Sequence, residues 1–594
     1  MLGKNLSLKE TFDLAVEKHK SKHFKVAKEL YNKILIKNPN HIQTIFLLGT
    51  LFTETNNLES AIKLFQRVIR LQPKHALAYN NLGMIYIELE NFISAVMCLK
   101  TAIIINPVLT NTRNILCILL RSLTLTKLNE KEQQDFKDLF LILYKRNDVD
   151  HNDIFSNAKN ILFSEKNYKE ILKEEPKPPL LKNINIKNLI KEDLFLLMMQ
   201  KSLISDPFIE KILIQIRKEI LVSNNNRIKD INDNFDFIVS FAEQCSLNEH
   251  VYIRTKNETE QIKILQANLE KNKKINELDV AILGCYVPLN TSEKLKEKLI
   301  NYKSKNILFD DLIALQIKEI DKEEQLKTTI KSNDNITDEV SKKVRNQYEE
   351  NPYPRWRHLY TNDRKNFLIG LQNQIKPNKI DVEPNNKFRK PNVLIAGCGT
   401  GRHLLIADNY LDANILGVDL SLSSLAYAKR KIEEKGLKNI EFLQSDILNL
   451  KNLKRKFDII ESIGVLHHMK DPLKGLKVLL DLLEPYGLMK LGLYSKIARQ
   501  HITYARKFVS EKNFKSNIGD IRKCRCEIFN AKNDNLLKKV SLGKDFYTAS
   551  SVRDLIFHEQ KVHRTHLRCN CRRGGGRDPR QRGQGRRHAH VHWI

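Results

Sequence analysis

Hydrophobic positions along the chain change rhythm twice. From about residue 8 to 109 apolar side chains return every three to four positions, and the whole pattern returns every 34. Ala27, Ala61 and Ala95 form one column of this longer period, and Pro39, Pro73 and Pro107 another. Leu14, Leu48 and Leu82 form a third, Tyr31, Phe65 and Leu99 a fourth, and Gly49 and Gly83 share a fifth with Ala15. The short spacing predicts amphipathic helices. Small residues let paired helices approach, and Pro stops the second helix before the next unit. From 110 to 330 the pattern stays helical without the long period, in segments such as NLIKEDLFLLMMQKSLI and PFIEKILIQIRKEIL. Asn-rich breaks such as SNNNRIKDINDNFD separate them, and KSNDNITDEV at 331–340 reads as a linker. After 391 short apolar runs alternate with helical stretches. NVLIA, ANILGVD, IEFLQ, FDIIESIG and LMKLGLY read as five strands; GRHLLIADNY, SSLAYAKRKIEEKG and PLKGLKVLLDLL read as helices between them. Such alternation predicts a doubly wound parallel sheet, with its ligand crevice at the carboxyl ends of the strands.

The 34-residue period, with its columns of small residues and Pro, resembles tetratricopeptide repeats. Stacked repeats of this kind form a superhelix whose concave face takes a peptide or partner protein, so the resemblance implies such a partner without naming it. A spacer or oligomerisation element is the plainer alternative.

Composition adds bounds. A chain of 594 residues is expected to divide into roughly three or four domains. Its apolar runs, such as NILCILL and LFLILY, fall short of the ~20 residues that cross a bilayer. MLGKNLSLKETF has no apolar signal region, and nine cysteines lie scattered without a paired framework. A soluble, cytoplasmic protein is therefore expected. The formal charge is +30, of which residues 561–594 supply +9, with nine Arg and one Lys against one Asp. The remaining lysines are spread among glutamates as solvated helix faces are, and no stripe of interleaved aromatic and basic residues appears, so nucleic acid is not supported as a partner.

The stretch NVLIAGCGTGRHLL carries the first candidate chemistry. Gly397, Gly399 and Gly401 follow a strand and open a helix, and such a loop lets backbone approach a nucleotide. A dinucleotide fingerprint wants its third glycine one position later, where Arg402 stands. The second strand ends in VDLS, which sets Asp419 and Leu420 where a carboxylate can accept both ribose hydroxyls. The third ends in SDI, which sets Asp446 and Ile447 where the acid can face an adenine amino group. The fourth runs FDIIESIGVLHHM, with Glu461 and Ser462 at the strand end and His467 and His468 just past it.

Taken together, GCGTG, VDLS, SDI and FDIIESIGVLHHM resemble the motifs of class I S-adenosylmethionine-dependent methyltransferases over roughly 391–500. Methyltransferases with N-terminal tetratricopeptide repeats resemble the chain more closely, in domain order and in VRNQYEENPYPRW at 344–356 and GLYSKIARQHI at 492–502. The resemblance implies methyl transfer from S-adenosyl-L-methionine, held by Gly397, Cys398, Gly399, Gly401, Asp419, Leu420, Asp446, Ile447 and Ser462, to an unidentified acceptor. In methyl-donor loops the residue two before the first glycine is usually acidic; here it is Ile395, as the subgroup commonly has it. Backbone carbonyls, or Glu349 or Glu350, are the alternatives for receiving the donor's ammonium.

His467 or His468 can position or deprotonate an acceptor; the alternative is a structural histidine lining the loop. NQYEENPYPRW, whose prolines preset a stiff extended turn, reads either as a lid over the cofactor or as an aromatic buttress, with Tyr348, Tyr353, Arg355 and Trp356 clustered around it. Tyr494 divides between acceptor pocket and core. Cys398 is explained by loop packing, and Cys245 and His250 by packing in the middle region. Cys524 and Cys526 have poor geometry for a shared metal, and CNC at 569–571 and HAHVH at 588–592 sit in a suspect tail, so no metal site is expected.

That tail is set apart by composition. Up to about Gln560 the chain is rich in Lys, Asn and Ile; beyond it come Arg, Gly and His with hardly any apolar residues, which cannot bury a core. We expect 561–594 to be foreign to the natural protein, the alternative being a genuine basic, disordered tail. The sheet is then expected to lack its last two strands, an antiparallel pair. The expected organisation is repeats over 1–109, a helical middle region over 110–330, a connecting segment or lid over 341–390, a doubly wound methyltransferase domain over 391–560 and the tail. An interaction scaffold with an inactive or truncated methyltransferase domain is the alternative function.

Overall fold

The structure is a computed structural model that describes residues 6–125, 128–165, 167–172, 175–225, 233–333, 336–360, 390–407, 412–494, 499–531, 533–557 and 589–593. The chain divides into two compact units. The first comprises Met1–Glu165 with His358–Asp363, and the second Lys166–Arg357 with Arg364–Ile594.

The first unit is built of helical hairpins: α1 (Leu8–Lys20) with α2 (Phe24–Lys37), α3 (Ile42–Glu54) with α4 (Leu58–Leu71), and α5 (Ala76–Glu88) with α6 (Phe92–Ile105). The columns of the 34-residue period explain the packing. Ala27, Ala61 and Ala95 are fully buried where helices touch, and so are Tyr31, Phe65 and Leu99. Asn57 and Asn91, also one period apart, accept the backbone N–H of Ser60 and Ser94 at 3.3 Å and so cap α4 and α6. The helical stack runs on beyond 109 through α7 (Thr110–Ser122), α8 (Glu130–Tyr144) and α9 (His151–Leu162). Buried Arg113 pairs with Asp148, and the Asn157 amide donates to the Leu123 carbonyl at 2.9 Å. These polar ties fasten α7 to α9 and to the loop that leads into it, within the compact unit that ends at Glu165. A piece of the connecting segment belongs here too: Leu359 is buried, and the Tyr360 hydroxyl donates to Asp153 at 3.2 Å. The remainder of that segment, from 361 to 389, lies outside the described residues.

The second unit holds one sheet in the order β1-β4-β3-β2-β5-β6-β7. Its strands are β1 (Lys331–Ser332), β2 (Asn392–Ala396), β3 (Asn414–Asp419), β4 (Ile440–Gln444), β5 (Phe457–Ile463), β6 (Leu483–Tyr494) and β7 (Ala589–Trp593). β1 to β6 are parallel, and β7 runs antiparallel to β6, with Lys490 opposite Trp593 and Tyr494 opposite Ala589. Two expectations are corrected at the sheet edges. Lys331 and Ser332, read as linker, add a short parallel strand beside Leu443 and Gln444. At the other edge one antiparallel strand is present where none was expected, since an extended segment can satisfy the open backbone groups of β6. Residues 558–588 of the tail lie outside the described residues.

Apolar residues fill both faces of the sheet. Val393, Ile395, Ile415 and Ile459 meet on one face, and Leu394, Ala396, Leu416 and Ile460 on the other. Helices from the middle region are part of this unit. Arg525 in helix Ile518–Asn530 is buried against Glu210 of helix Pro207–Asn225, with contacts of 3.0 and 2.8 Å. Arg430 in helix Leu422–Glu434 is likewise buried against Glu319 and Glu323 of helix Glu319–Lys327. Cys245 and His250 are buried among the middle helices, and a ring nitrogen of His250 lies 3.0 Å from the Gly284 carbonyl. Among the described residues no helix is long and apolar enough to cross a membrane. None of their His, Cys, Asp or Glu side chains gather in a group of three or more placed to hold a metal ion.

Candidate functional site

The strand order places β2 between β3 and β5, so chain direction diverges on either side of its carboxyl end and opens a crevice there. The glycine loop fills the base of that crevice. The N–H groups of Gly397 and Cys398 both donate to the Val418 carbonyl, at 2.8 and 2.9 Å, which turns the chain sharply off β2. Gly397 has φ +79°, and a Cβ there would lie 2.3 Å from Val465 Cγ2. Only glycine fits that position.

Above the loop lies a cavity of about 400 Å³, within the range of small-molecule sites. Its lining includes Gly397, Cys398 and Gly399 with Asp419, Leu420, Asp446 and Ile447. Asp419 Oδ2 accepts the Gly399 N–H at 2.8 Å, and Oδ1 accepts the Ser421 N–H at 3.0 Å. Each oxygen keeps a second lone pair, so the carboxylate can take two hydroxyls while the loop holds it still. Its flanks are enclosed by protein, and this burial pushes its carboxyl above the usual range despite the amides that favour the charge. Asp446 Oδ1 accepts the Leu448 N–H at 2.9 Å, which fixes that side chain at the start of a turn.

Tyr348, Tyr353 and His468 line the same cavity, together with residues that the motifs did not single out. Ser341, Val344 and Tyr348 lie on one face of helix Glu339–Glu350, a spacing of three and four. Lys539, Asp545 and Asp554 come from the helical region after β6, where nothing in the local sequence marks them. Arg402 and His403 directly follow the glycine loop and line it as well. Burial pushes the Cys398 thiol well above its ordinary value, so it is a poor nucleophile.

NPYPRW both lines the cavity and packs behind it. Tyr353 and Pro354 line the cavity, and the Thr400 hydroxyl donates to the Pro354 carbonyl. Trp356 is buried behind them, where Nε1 donates to the Thr400 carbonyl at 3.0 Å and the backbone N–H to the Tyr427 hydroxyl at 2.9 Å.

Several expected positions stand away from the cavity wall. Gly401 packs against Ala428 of the next helix. Ser462 is buried among apolar side chains because strand alternation turns it to the face opposite Glu461, and its hydroxyl has no hydrogen-bond partner there. His467 turns inward with its ring 4.3 Å from that of His468, and both its ring nitrogens are shut off from solvent. Arg355 points to Glu323 at 3.8 Å and over the Tyr427 ring. Tyr494 ends β6, and its side chain lies outside the described residues. Glu349, considered for the donor's ammonium, accepts from both Ser421 and Ser423, because the open N–H groups at the start of helix Leu422–Glu434 attract a carboxylate. Glu350 is exposed and off the wall.

Residues 388–547 match the family described as a methyltransferase domain, and residues 42–75 and 64–97 match two tetratricopeptide-repeat families. The chain carries a class I methyltransferase domain behind tetratricopeptide repeats. The cofactor that goes with this domain is S-adenosyl-L-methionine, and the residues present fit it: a glycine cradle, and two carboxylates spaced along a nucleoside-sized cavity. Among curated proteins the chain is similar to an uncharacterised protein of Synechococcus, 35% identical over 19% of this chain and 28% of that one. It is similar also to a ubiquinone biosynthesis O-methyltransferase of Actinobacillus pleuropneumoniae, 32% identical over 23% of this chain and 58% of that one. The chain thus spans between about a quarter and three fifths of the length of these relatives. Among solved structures it is similar to PKMT2 from Rickettsia typhi in complex with AdoHcy, at 25% identity and a TM-score of 0.26, over 29% of this chain and 36% of that one.

Proposed function

We propose that the protein transfers a methyl group from S-adenosyl-L-methionine to an acceptor bound at the far end of the same cavity, while the repeats recruit the acceptor or a partner that carries it. The observation behind this reading is the single cavity that joins the glycine loop, Asp419 and Asp446 to the wall of Tyr348 and His468. The cofactor supplies a methyl on a sulfonium, already a good leaving group, so the protein's main task is to hold acceptor and donor at near-attack distance. Asp419 orients the ribose, Arg402 beside the glycine loop serves the methionine end, and Tyr353 with Pro354 closes the loop side. His468 stands where an acceptor's proton must leave.

Calorimetric titration of the full chain with S-adenosyl-L-methionine tests the first half of the reading. Incubation of a host lysate with the chain and methyl-labelled donor, followed by mass spectrometry of labelled products, tests the second. An intact fold that binds no donor would favour a repeat scaffold with an inactive domain.

A further inference from the structure

The methyl-transfer reading leaves unexplained a buried acid on the acceptor wall. Asp554 is 7% exposed and lies in the wide turn Arg553–Phe557, which lines the cavity. Its Oδ1 accepts the Tyr348 hydroxyl at 2.8 Å, across 206 residues of sequence. Tyr348 is held at its other end as well, since its backbone carbonyl accepts the Ser421 hydroxyl at 3.0 Å. The Tyr348 ring meets the His468 ring edge-on, with centroids 6.5 Å apart. Three separate elements therefore bring an acid, a phenol and an imidazole to one wall of one cavity. Wide turns of this kind recur at functional sites.

A phenol has one hydrogen to give and two lone pairs to offer. With its hydrogen committed to Asp554, the Tyr348 oxygen meets a ligand as an acceptor only. We propose that Asp554 is a positioning residue: it fixes the Tyr348 oxygen to receive a hydrogen from the nucleophile, which selects acceptors bearing an N–H or O–H. This rests on the methyl-transfer reading. In the step itself the nucleophile's lone pair forms the bond to the methyl carbon as the carbon–sulfur bond breaks, and that pair returns to sulfur. As that bond forms the hydrogen bond to the Tyr348 oxygen is given up, and the same proton passes to the His468 imidazole and then to water. A nucleophile without a hydrogen, such as a thioether or tertiary amine, has nothing to give Tyr348 and is disfavoured.

Three variants test the proposal on the full chain: Asp554→Asn, which keeps the size of the side chain, Tyr348→Phe, and the two together. In protein labelled at tyrosine Cζ with ¹³C, the Tyr348 resonance is identified by its loss in Tyr348→Phe, and it moves in Asp554→Asn. Labelling of lysate acceptors with methyl-tritiated donor slows ten- to hundredfold in each single variant, the range expected for a hydrogen bond to a charged group. The double variant is no slower than Tyr348→Phe, because Asp554 works through Tyr348. Calorimetric affinity for S-adenosyl-L-methionine changes less than twofold throughout. An unmoved resonance, unchanged labelling in Asp554→Asn, or a double variant slower by the product of the two singles overturns the positioning role. Failure of the unmodified chain to bind the donor or to label any acceptor overturns the methyl-transfer reading instead, and the role with it.

Discussion

Gly397→Ala puts the loop geometry to a quantitative test. Two costs add at this position. A side chain at φ +79° enters the left-handed region, at about 1–2 kcal/mol. The new Cβ also lies 2.3, 2.8 and 3.0 Å from Val465 Cγ2, Cγ1 and Cβ, so that either the loop or the Val465 turn must shift, at about 1–3 kcal/mol. Stiffening of the unfolded chain returns roughly 0.4–1 kcal/mol. The net loss is about 1–5 kcal/mol. Gly399→Ala is the internal control: φ there is +52°, but the nearest atom to a new Cβ is the Tyr353 carbonyl oxygen at 3.4 Å, an ordinary contact. Only the backbone term remains, and the loss falls to roughly 1 kcal/mol. Urea unfolding followed by tryptophan fluorescence reads both, because Trp356 is hydrogen-bonded to the carbonyl of the loop residue Thr400. Placing Gly397→Ala in a Val465→Ala background separates its parts: the share owed to the two Cγ methyls disappears, while the Cβ contact at 3.0 Å and the backbone share stay. Equal losses for the two glycines, or a Gly397→Ala cost unchanged in the Val465→Ala background, would refute the close-approach argument.

Other outcomes stem from charges and buried pairs. Asp419→Asn turns an amide nitrogen toward one of the two backbone N–H groups that the carboxylate now accepts, so calorimetry should show donor affinity at least tenfold weaker while α1 to α9 keep their circular-dichroism signal. Burial depresses the His250 imidazole from 6.5 to about 3, so the folded state refuses a proton that the unfolded chain takes. Stability from this group is complete above pH ~6.5 and is lost as pH falls towards 3. His250→Gln, whose amide can donate to the Gly284 carbonyl, should flatten the decline in urea midpoint between pH 7.5 and 4.5. Arg525→Met leaves Glu210 buried and unpaired, at about 3–5 kcal/mol by urea unfolding. Adding Glu210→Gln should restore much of that, and a double variant as unstable as the single would show that packing, not charge, sets the loss.

The sequence made some of this legible for specific reasons. The repeat columns could be read because helices that meet at Ala27, Ala61 and Ala95 demand small residues at one spacing. Asp419 and Asp446 could be placed because both stand at strand ends whose apolar runs are unmistakable. Ser462 and Glu461, on opposite faces of β5, are both buried off the cavity wall, which a motif read at the strand end does not show. β1 had no hydrophobic signal to offer, since a two-residue edge strand is held by backbone pairing alone. Asp554 lay beyond reach because its meaning depends on Tyr348, and no local pattern links residues so far apart in the chain. Glu349 was a reasonable candidate by charge, but the helix start beside it holds a stronger claim.

The ion pairs that join the middle helices to the sheet bear on how such a protein can be rearranged. The stretch that matches the methyltransferase family begins at residue 388, yet Arg525 finds its carboxylate at Glu210, and Arg430, besides Glu434 one turn on, finds Glu319 and Glu323, all three well upstream. Excised at that boundary, the domain would carry two guanidinium groups into the open with the apolar surface around them. The stretch that matches the family and the stretch that pairs its buried charges are therefore different lengths here. A fragment for expression, or a graft of this domain onto another chain, should start no later than the helix at Pro207.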